Sequence, residues 1–464
     1  MAILAACMVP HPPLIVPDIG KGAEAAVQST AGAYRKAAEM IGRFKPDTIV
    51  VISPHQVMYA DYFHISPGKS AEGDFGQFGA GQVRVEVSYD TEFVEELCRQ
   101  AQAQNLAAGT LGVRGRQDRK LDHGTMVPLY FVNQYWRDYK LVRIGLSGLP
   151  LTSHYELGEC IQETAEMLGR NVVIIGSGDL SHRLKEEGPY GFQKEGPEYD
   201  RRIMDVMERG DFGELFQFSE DFCQKAGECG HRSFTIMAGA LDRLAVKTDR
   251  LSYEGPFGVG YGVCTYRVTG RAADRDFLKQ YETGEQNRIM ALRAKEDEYV
   301  KLARRTIETY VRTGEILSAP PKLPDELFRL RAGAFVSMKK DGRLRGCIGT
   351  IGPVQGCLAE EIIQNAVSAC SRDPRFSPVK PEELDRLIIS VDVLGEAEKI
   401  DRPEQLDVKR YGVIVTNGAR RGLLLPDLEG VDSVEQQIAI AKQKAGIRGD
   451  EAVELERFEV VRHE

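Results

Sequence analysis

Apolar residues in the first half of this chain come in unbroken runs rather than in alternation: residues 2–9 (Ala-Ile-Leu-Ala-Ala-Cys-Met-Val), 48–52 (Thr-Ile-Val-Val-Ile) and 172–175 (Val-Val-Ile-Ile). Such runs predict strands covered on both faces within a mostly parallel sheet. Residues 140–146 predict a further buried strand. The stretches between them carry helical spacing. Residues 20–43 place Ala23, Val27, Ala31, Tyr34, Ala37 and Ile41 on one face, and helices are also predicted over 91–104, 155–168 and 234–244. Strand, helix and strand in succession is the pattern of a βαβ crossover. A glycine-rich passage at 68–81, with Phe75 and Phe78, predicts a long loop suited to a lid, beside an alternating, half-exposed strand at 83–87. A glycine-rich strand at 253–266 is expected to close the sheet as its edge.

The pattern changes near residue 270. Residues 274–314 are strongly charged with apolar positions at Leu292, Tyr299, Leu302, Ile307 and Tyr310, and Pro320, Pro321 and Pro324 interrupt the helix this spacing predicts. Beyond them, 335–350 reads as two strands joined by an Asp-Gly turn, 357–371 as a helix, and 387–394, 412–416 and 422–427 as further strands. The expected organisation is an α/β domain over 1–272 with a central mixed sheet flanked by helices, a charged linker over 273–289, and a smaller α+β domain over 290–464.

Composition narrows the classes of function. The chain has 464 residues, a formal charge of −9 and 42% hydrophobic content, with acidic and basic residues interspersed. That balance argues against a nucleic-acid or anionic-membrane surface. No apolar segment reaches the roughly 18 residues of a membrane span, and no basic flank precedes an apolar leader, so a cytoplasmic location is expected. Nine cysteines, an odd count without C-x-x-C pairs, argue against a disulfide framework and a zinc ribbon.

The chemistry lies where the buried runs stop. The first ends at Pro-His11-Pro-Pro, the second at Ser-Pro-His55, and the third at Ser177-Gly-Asp179-Leu-Ser-His182. In open parallel sheets ligands bind beyond the carboxyl ends of the strands. His123 follows Asp122 ahead of another apolar run, and Glu228, Cys229 and His231 cluster at the start of a helix. Two imidazoles with a carboxylate or thiolate suit a divalent metal and leave positions open for substrate, and a further histidine suits proton transfer near neutral pH. Any one of these histidines alone is more often a surface or core residue; their combination favours a site.

In order and spacing, these motifs resemble the class III extradiol dioxygenase (LigB-like) superfamily and its relative the Memo family, over about residues 1–270. The resemblance implies a non-haem metal held by His11 and His55, with His123 and His182 orienting and protonating substrate; Asp179, delivered by the same strand end as His182, is a candidate catalytic residue with them. In the dioxygenases the third ligand is a glutamate from a late loop. The Ala226-Gly-Glu-Cys-Gly-His231 segment instead resembles the Memo pattern, which makes Cys229 the expected ligand ahead of Glu228 and then His231. Fe(II) is the expected ion, with zinc or copper as alternatives.

The second half, through Leu344-Arg-Gly-Cys-Ile-Gly349, Asp373-Pro-Arg-Phe and its later strands, closely resembles the AMMECR domain family. Arg345 and Cys347 form a candidate second site, Arg345 to hold an anion. For Cys347 a buried structural thiol is the favoured reading, since His463 is the sole histidine of this half. Fusion of the two halves resembles the AmmeMemoRadiSam system, which implies a radical SAM protein as partner alongside a small-molecule substrate; a homo-oligomer is a further expectation. No Cys-x-x-x-Cys-x-x-Cys cluster motif is present, so radical chemistry itself is not expected in this chain.

Overall fold

A computed structural model describes residues 2–112, 119–428 and 430–464. It divides into two compact units, residues 1–282 and 283–464. The stretch 273–289 falls largely within a helix, Phe277–Arg293.

The first unit is built on a six-stranded mixed sheet. Its strands are β1 (Ile3–Val9), β2 (Thr48–Ile52), β3 (Lys140–Ile144), β4 (Val172–Ser177), β5 (Leu244–Glu254) and β6 (Tyr261–Arg271), in the order β3-β2-β4-β1-β6-β5. β3, β2, β4 and β1 run parallel, and β6 pairs antiparallel with β1. Alternate residues of the same strand enter different cores. Met8, Val50, Ile52 and Ile174 pack with the helices Thr91–Ala103, Leu151–Leu168 and His231–Gly239, whereas Cys7, Val9, Ile49, Val51 and Ile175 pack with Gln28–Phe44 and His123–Val132. Burial on both faces is why these runs do not alternate, and each fully buried Val or Ile contributes roughly 1.5–3 kcal/mol.

Several boundaries differ from the sequence expectation. The crossover at 20–43 is broken: Gly22, at φ 106°, lies between a short turn of helix at Pro17–Gly20 and a 3-10 turn at Ala23–Val27, and the long helix begins only at Gln28. The passage at 68–81 is a hairpin, Ser70–Phe75 against Ala80–Ser88, rather than a free loop, because its polar residues alternate with buried Ala71, Phe75, Ala80 and Val85. The helix expected at 234–244 spans His231–Gly239, and Leu244 already begins β5. The strand expected at 253–266 is split by a turn at 255–260; its second part, β6, is interior to the sheet, and β5 is the edge.

The second unit is α+β. One antiparallel sheet has the order Arg343–Gly349, Ala334–Lys340, Leu387–Leu394, Val460–His463, and a second has the order Glu398–Ile400, Glu454–Phe458, Gly412–Asn417, Arg420–Leu424. Helices Glu298–Thr313 and Leu358–Ser371 contribute to the core under the first, and Val434–Lys444 to that under the second.

Candidate metal centre

Because β1, β2 and β4 are parallel neighbours, their carboxyl ends open on one rim, with Val9 level with Ser177 and Ile52 level with Gly176. The chain continues from these ends into His11, His55 and Asp179. The turn carrying Cys229 comes up beside Asp179: the Cys229 amide donates to the Asp179 carbonyl at 3.3 Å, and the Asp179 amide donates to Cys229 Sγ at 3.2 Å. The approach is so close that a side chain on Gly178 would run into the Gly230 backbone.

Three donor atoms meet here. His11 Nε2 lies 2.9 Å from His55 Nε2 and 3.7 Å from Cys229 Sγ, and ligand atoms of all three residues lie within 4.8 Å of one another. The tautomer of His11 follows from its neighbours. The Ser177 hydroxyl has one proton, which it donates to the Gly124 carbonyl at 2.6 Å, so its 3.0 Å contact with His11 Nδ1 is donation from the ring. Nε2 therefore presents a lone pair toward His55 and Cys229. Burial lowers the pKa of His11 well below its ordinary value, with His55, His123 and His182 adding to the shift, and burial lowers that of His55 against the pull of Asp122. Two neutral imidazoles and a thiol are a donor set that fits a borderline divalent ion. Burial also raises the Cys229 thiol, reinforced by Asp179 and Glu228. A cation among these donors opposes that shift, as coordination deprotonates a thiol.

The other candidates are sorted by position. His123 opens its helix, whose N-cap Asp122 accepts from the Thr125 amide, and its ring centroid lies 4.0 Å from that of His55 and 5.5 Å from that of Phe78 on the hairpin. Burial first, then the neighbouring His55, lowers its pKa to about 4. His182 is lowered to about 4 by burial and His55; its Nε2 is buried with no hydrogen-bond partner among the described residues, and its ring stacks on the exposed Tyr190 at 5.2 Å. The Asp179 carboxylate accepts from the His11 amide at 2.8 Å, and burial raises its pKa to about 7. Asp179 thus positions the turn that carries His11.

Glu228 and His231 face elsewhere. Glu228 Oε2 accepts from the His231 amide at 2.6 Å at the start of the helix, and His231 is buried between the Leu215 carbonyl (3.0 Å from Nε2) and the Tyr199 hydroxyl (3.3 Å from Nδ1). Ser177, Ser53 and Asp122 carry no assignment in the sequence reading, although all three stand inside its motifs. Ser53 donates to Asp122 at 2.5 Å, and the buried Arg143 pairs with the same carboxylate at 3.7 Å.

Removal of the Ser177 hydroxyl frees His11 to choose its tautomer. Ser177→Ala is expected to weaken metal affinity by about 10–100-fold, the usual cost of losing a ligand's outer hydrogen bond, measured by competition with a chelator; unchanged affinity would refute the tautomer argument.

A pH effect arises one turn away. Asp200 is fully buried, accepts from the Ser181 amide and the Tyr253 hydroxyl at 2.8 Å each, and burial raises its carboxyl to about 7. An unfolded Asp titrates near ~3.9, so the folded state binds the extra proton between these values. Stability therefore falls as pH rises from about 4 to 7. Asp200→Asn is expected to flatten that slope and to gain on the order of 1–2 kcal/mol at pH 8. Urea unfolding at pH 5 and pH 8 checks it, and a parallel loss at both pH values would contradict it.

In the second unit the candidate anion-holding Arg345 already has partners of its own. Arg345 donates to Glu383, with contacts at 3.0 and 2.9 Å, and to the carbonyls of Ser377 and Pro378. Cys347 is half-buried rather than in the core, where Cys370 lies instead. His463 pairs with Asp297 and stacks on Tyr299.

The model of the family described as the catalytic LigB subunit of aromatic ring-opening dioxygenase matches residues 5–264, and that of AMMECR1 matches residues 300–463. A protein of Clostridium acetobutylicum is 40% identical over 461 residues, covering 98% of both chains. A Thermotoga maritima protein is 54% identical over 170 residues, 36% of this chain and 98% of its own. A solved structure of a Pyrococcus horikoshii protein is 37% identical, covers 35% of this chain and 88% of its own, and has a TM-score of 0.34.

Proposed function

The chain belongs to the family of the catalytic LigB subunit of aromatic ring-opening dioxygenase, and from that premise we propose that it is a metal-dependent enzyme acting on a small aromatic or related oxygenated substrate. The observation that carries this is the convergence of His11 Nε2, His55 Nε2 and Cys229 Sγ at the carboxyl ends of parallel strands. These residues would hold a divalent ion, Fe(II) foremost, with zinc or copper favoured to the extent that the thiolate dominates. Bound there, the ion supplies a Lewis-acid centre with positions left for substrate oxygens.

The chain's own residues do the rest. His123 and His182, kept neutral by burial, take and return protons of a substrate hydroxyl. Phe78 and Tyr190 give the site flat apolar walls. Asp179 and Ser177 hold His11 in place. Anaerobic purification with metal analysis, followed by a screen of catechols with and without oxygen, tests the reading. A stoichiometric metal and consumption of a catechol support it; a protein with no affinity for Fe(II), zinc or copper refutes it.

One observation favours a second reading. A thiolate where ring-cleaving relatives use a carboxylate suits altered chemistry, and the chain would then serve as a metal-binding scaffold or substrate carrier for a radical SAM protein. Co-purification of such a protein with the full chain, combined with inertness toward every catechol, would select this reading over the first.

A further inference from the structure

The end of β3 carries a buried cation to which the chemistry of the metal centre gives no role. Residues 141–144 read Leu-Val-Arg-Ile, and Arg143, 1% exposed, stands level with Val51 on β2, two residues short of Ser53. Taking a guanidinium out of water is costly unless it is paired and hydrogen-bonded. Two branches lead from this one to the stretches that carry His55 and His123. Nε donates to Ser66 Oγ at 2.7 Å, and the Gln56 side-chain amide donates to the same oxygen at 2.6 Å, so the first branch ends on the residue after His55. Nη1 donates to the Lys120 carbonyl at 2.8 Å and lies 3.7 Å from Asp122 Oδ2, so the second ends on the residue before His123.

Asp122 joins the two stretches. Its Oδ1 accepts from the Ser53 hydroxyl at 2.5 Å and from the Thr125 amide at 2.9 Å, and its Oδ2 accepts from the Thr125 hydroxyl at 2.9 Å. Ser53 Oγ in turn accepts from the His55 amide at 3.3 Å. One carboxylate therefore ties the turn after β2 to the start of the helix His123–Val132, and the two rings carried there lie with centroids 4.0 Å apart. The space between is full: a Cβ on Gly124 would lie 2.4 Å from Ser53 Oγ and 3.3 Å from the His55 ring. Ser53 and Ser66 are fully buried, which shields these bonds from competing water.

We propose that Arg143 is the positioning residue of the metal centre: through Asp122 and Ser53 on one side, and through Ser66 and Gln56 on the other, it fixes His55 as a ligand and holds the neighbouring His123 ring apart from it. The inference rests on the metal-dependent reading of the site. It gives Arg143 no contact with metal or substrate. Two imidazoles so close together, on separate stretches of chain, compete for one ion unless their backbones are held at a fixed separation. A ligand already held in its bound orientation loses less conformational freedom when the ion arrives, so the network raises affinity without touching the ion.

Arg143→Gln and Ser53→Ala are made singly and together in the full chain. Zinc affinity is measured by competition with a chelator, and the imidazole resonances of the metal-free chain are recorded by NMR after histidine-specific labelling. Arg143→Gln is expected to weaken zinc binding by about 10–100-fold, Ser53→Ala to act in the same direction, and the double variant to lose less than the product of the two single losses. The metal-free resonances of His55 and His123 should move, while that of His231, held by the Leu215 carbonyl and the Tyr199 hydroxyl, should stay. Unchanged affinity or unmoved His55 and His123 resonances in a folded Arg143→Gln chain would overturn the proposal. So would movement of all three histidines together, the mark of a general loosening, or single losses that simply multiply. If Arg143→Gln does not fold, Ser53→Ala decides by the same two measurements. An unmutated chain that binds no zinc, Fe(II) or copper refutes the metal-dependent reading instead, and the resonances of the metal-free chain still decide whether Arg143 places the two rings.

Discussion

Cys229→Ser is expected to empty the metal centre while leaving the fold in place. The serine hydroxyl is nearly isosteric with the thiol and can still accept from the Asp179 amide that now donates to Sγ, so the turn beside β4 keeps its anchor. What is lost is the thiolate. Loss of an outer hydrogen bond to a ligand alone typically costs 10–100-fold in affinity, and loss of the donor itself should cost more than about 10²-fold. Metal content of anaerobically purified protein, with thermal unfolding of the metal-free forms as the control, measures this. His11→Ala should act in the same direction. A Cys229→Ser protein that retains stoichiometric metal at unchanged affinity would send the third ligand elsewhere.

His182→Ala should do the reverse, keeping the metal and losing turnover. His182 contributes no atom to the three-donor group, yet its buried Nε2 has no partner among the described residues and its ring lies within the electrostatic influence of His55. A buried, unpartnered imidazole nitrogen beside a candidate metal is placed to exchange a proton with bound substrate. General acid or base groups contribute on the order of 10²–10⁴-fold in rate, and a loss of that size is expected on whichever catechol the screen identifies. Loss of metal from this variant would make His182 a ligand; full turnover would remove it from the chemistry.

The sheet of the first unit was legible because its signal is local. An unbroken Val/Ile run has few alternatives to a strand covered on both faces, and a histidine two or three residues past its end has to emerge at the carboxyl rim. The hairpin at 70–88 was harder to read: glycines suggested a loop, and the pairing that makes strands of 70–75 and 80–88 depends on Phe75 and Ala80 being buried by residues remote in sequence. The start of the helix at Gln28 was obscured for a similar reason, since Ala-rich spacing continues through a left-handed glycine that ends the preceding turns.

By itself the sequence determined the fold class, the rim and the identity of its histidines, because strand formation and chain direction follow from short-range pattern. The resemblance ranked Cys229 ahead of Glu228 and His231, and it is the packing of the chain that brings the Cys229 sulfur, rather than the other two side chains, to His11 and His55. These neighbours differ by fractions of a helical turn, and which of them faces His11, 218 residues earlier, depends on the Asp179 backbone that pairs with Cys229 and on the helix start that captures Glu228. The same holds for the tautomer of His11, set by Ser177 across 166 residues. Side-chain direction at a turn is fixed by hydrogen bonds to distant backbone, and no local pattern records it.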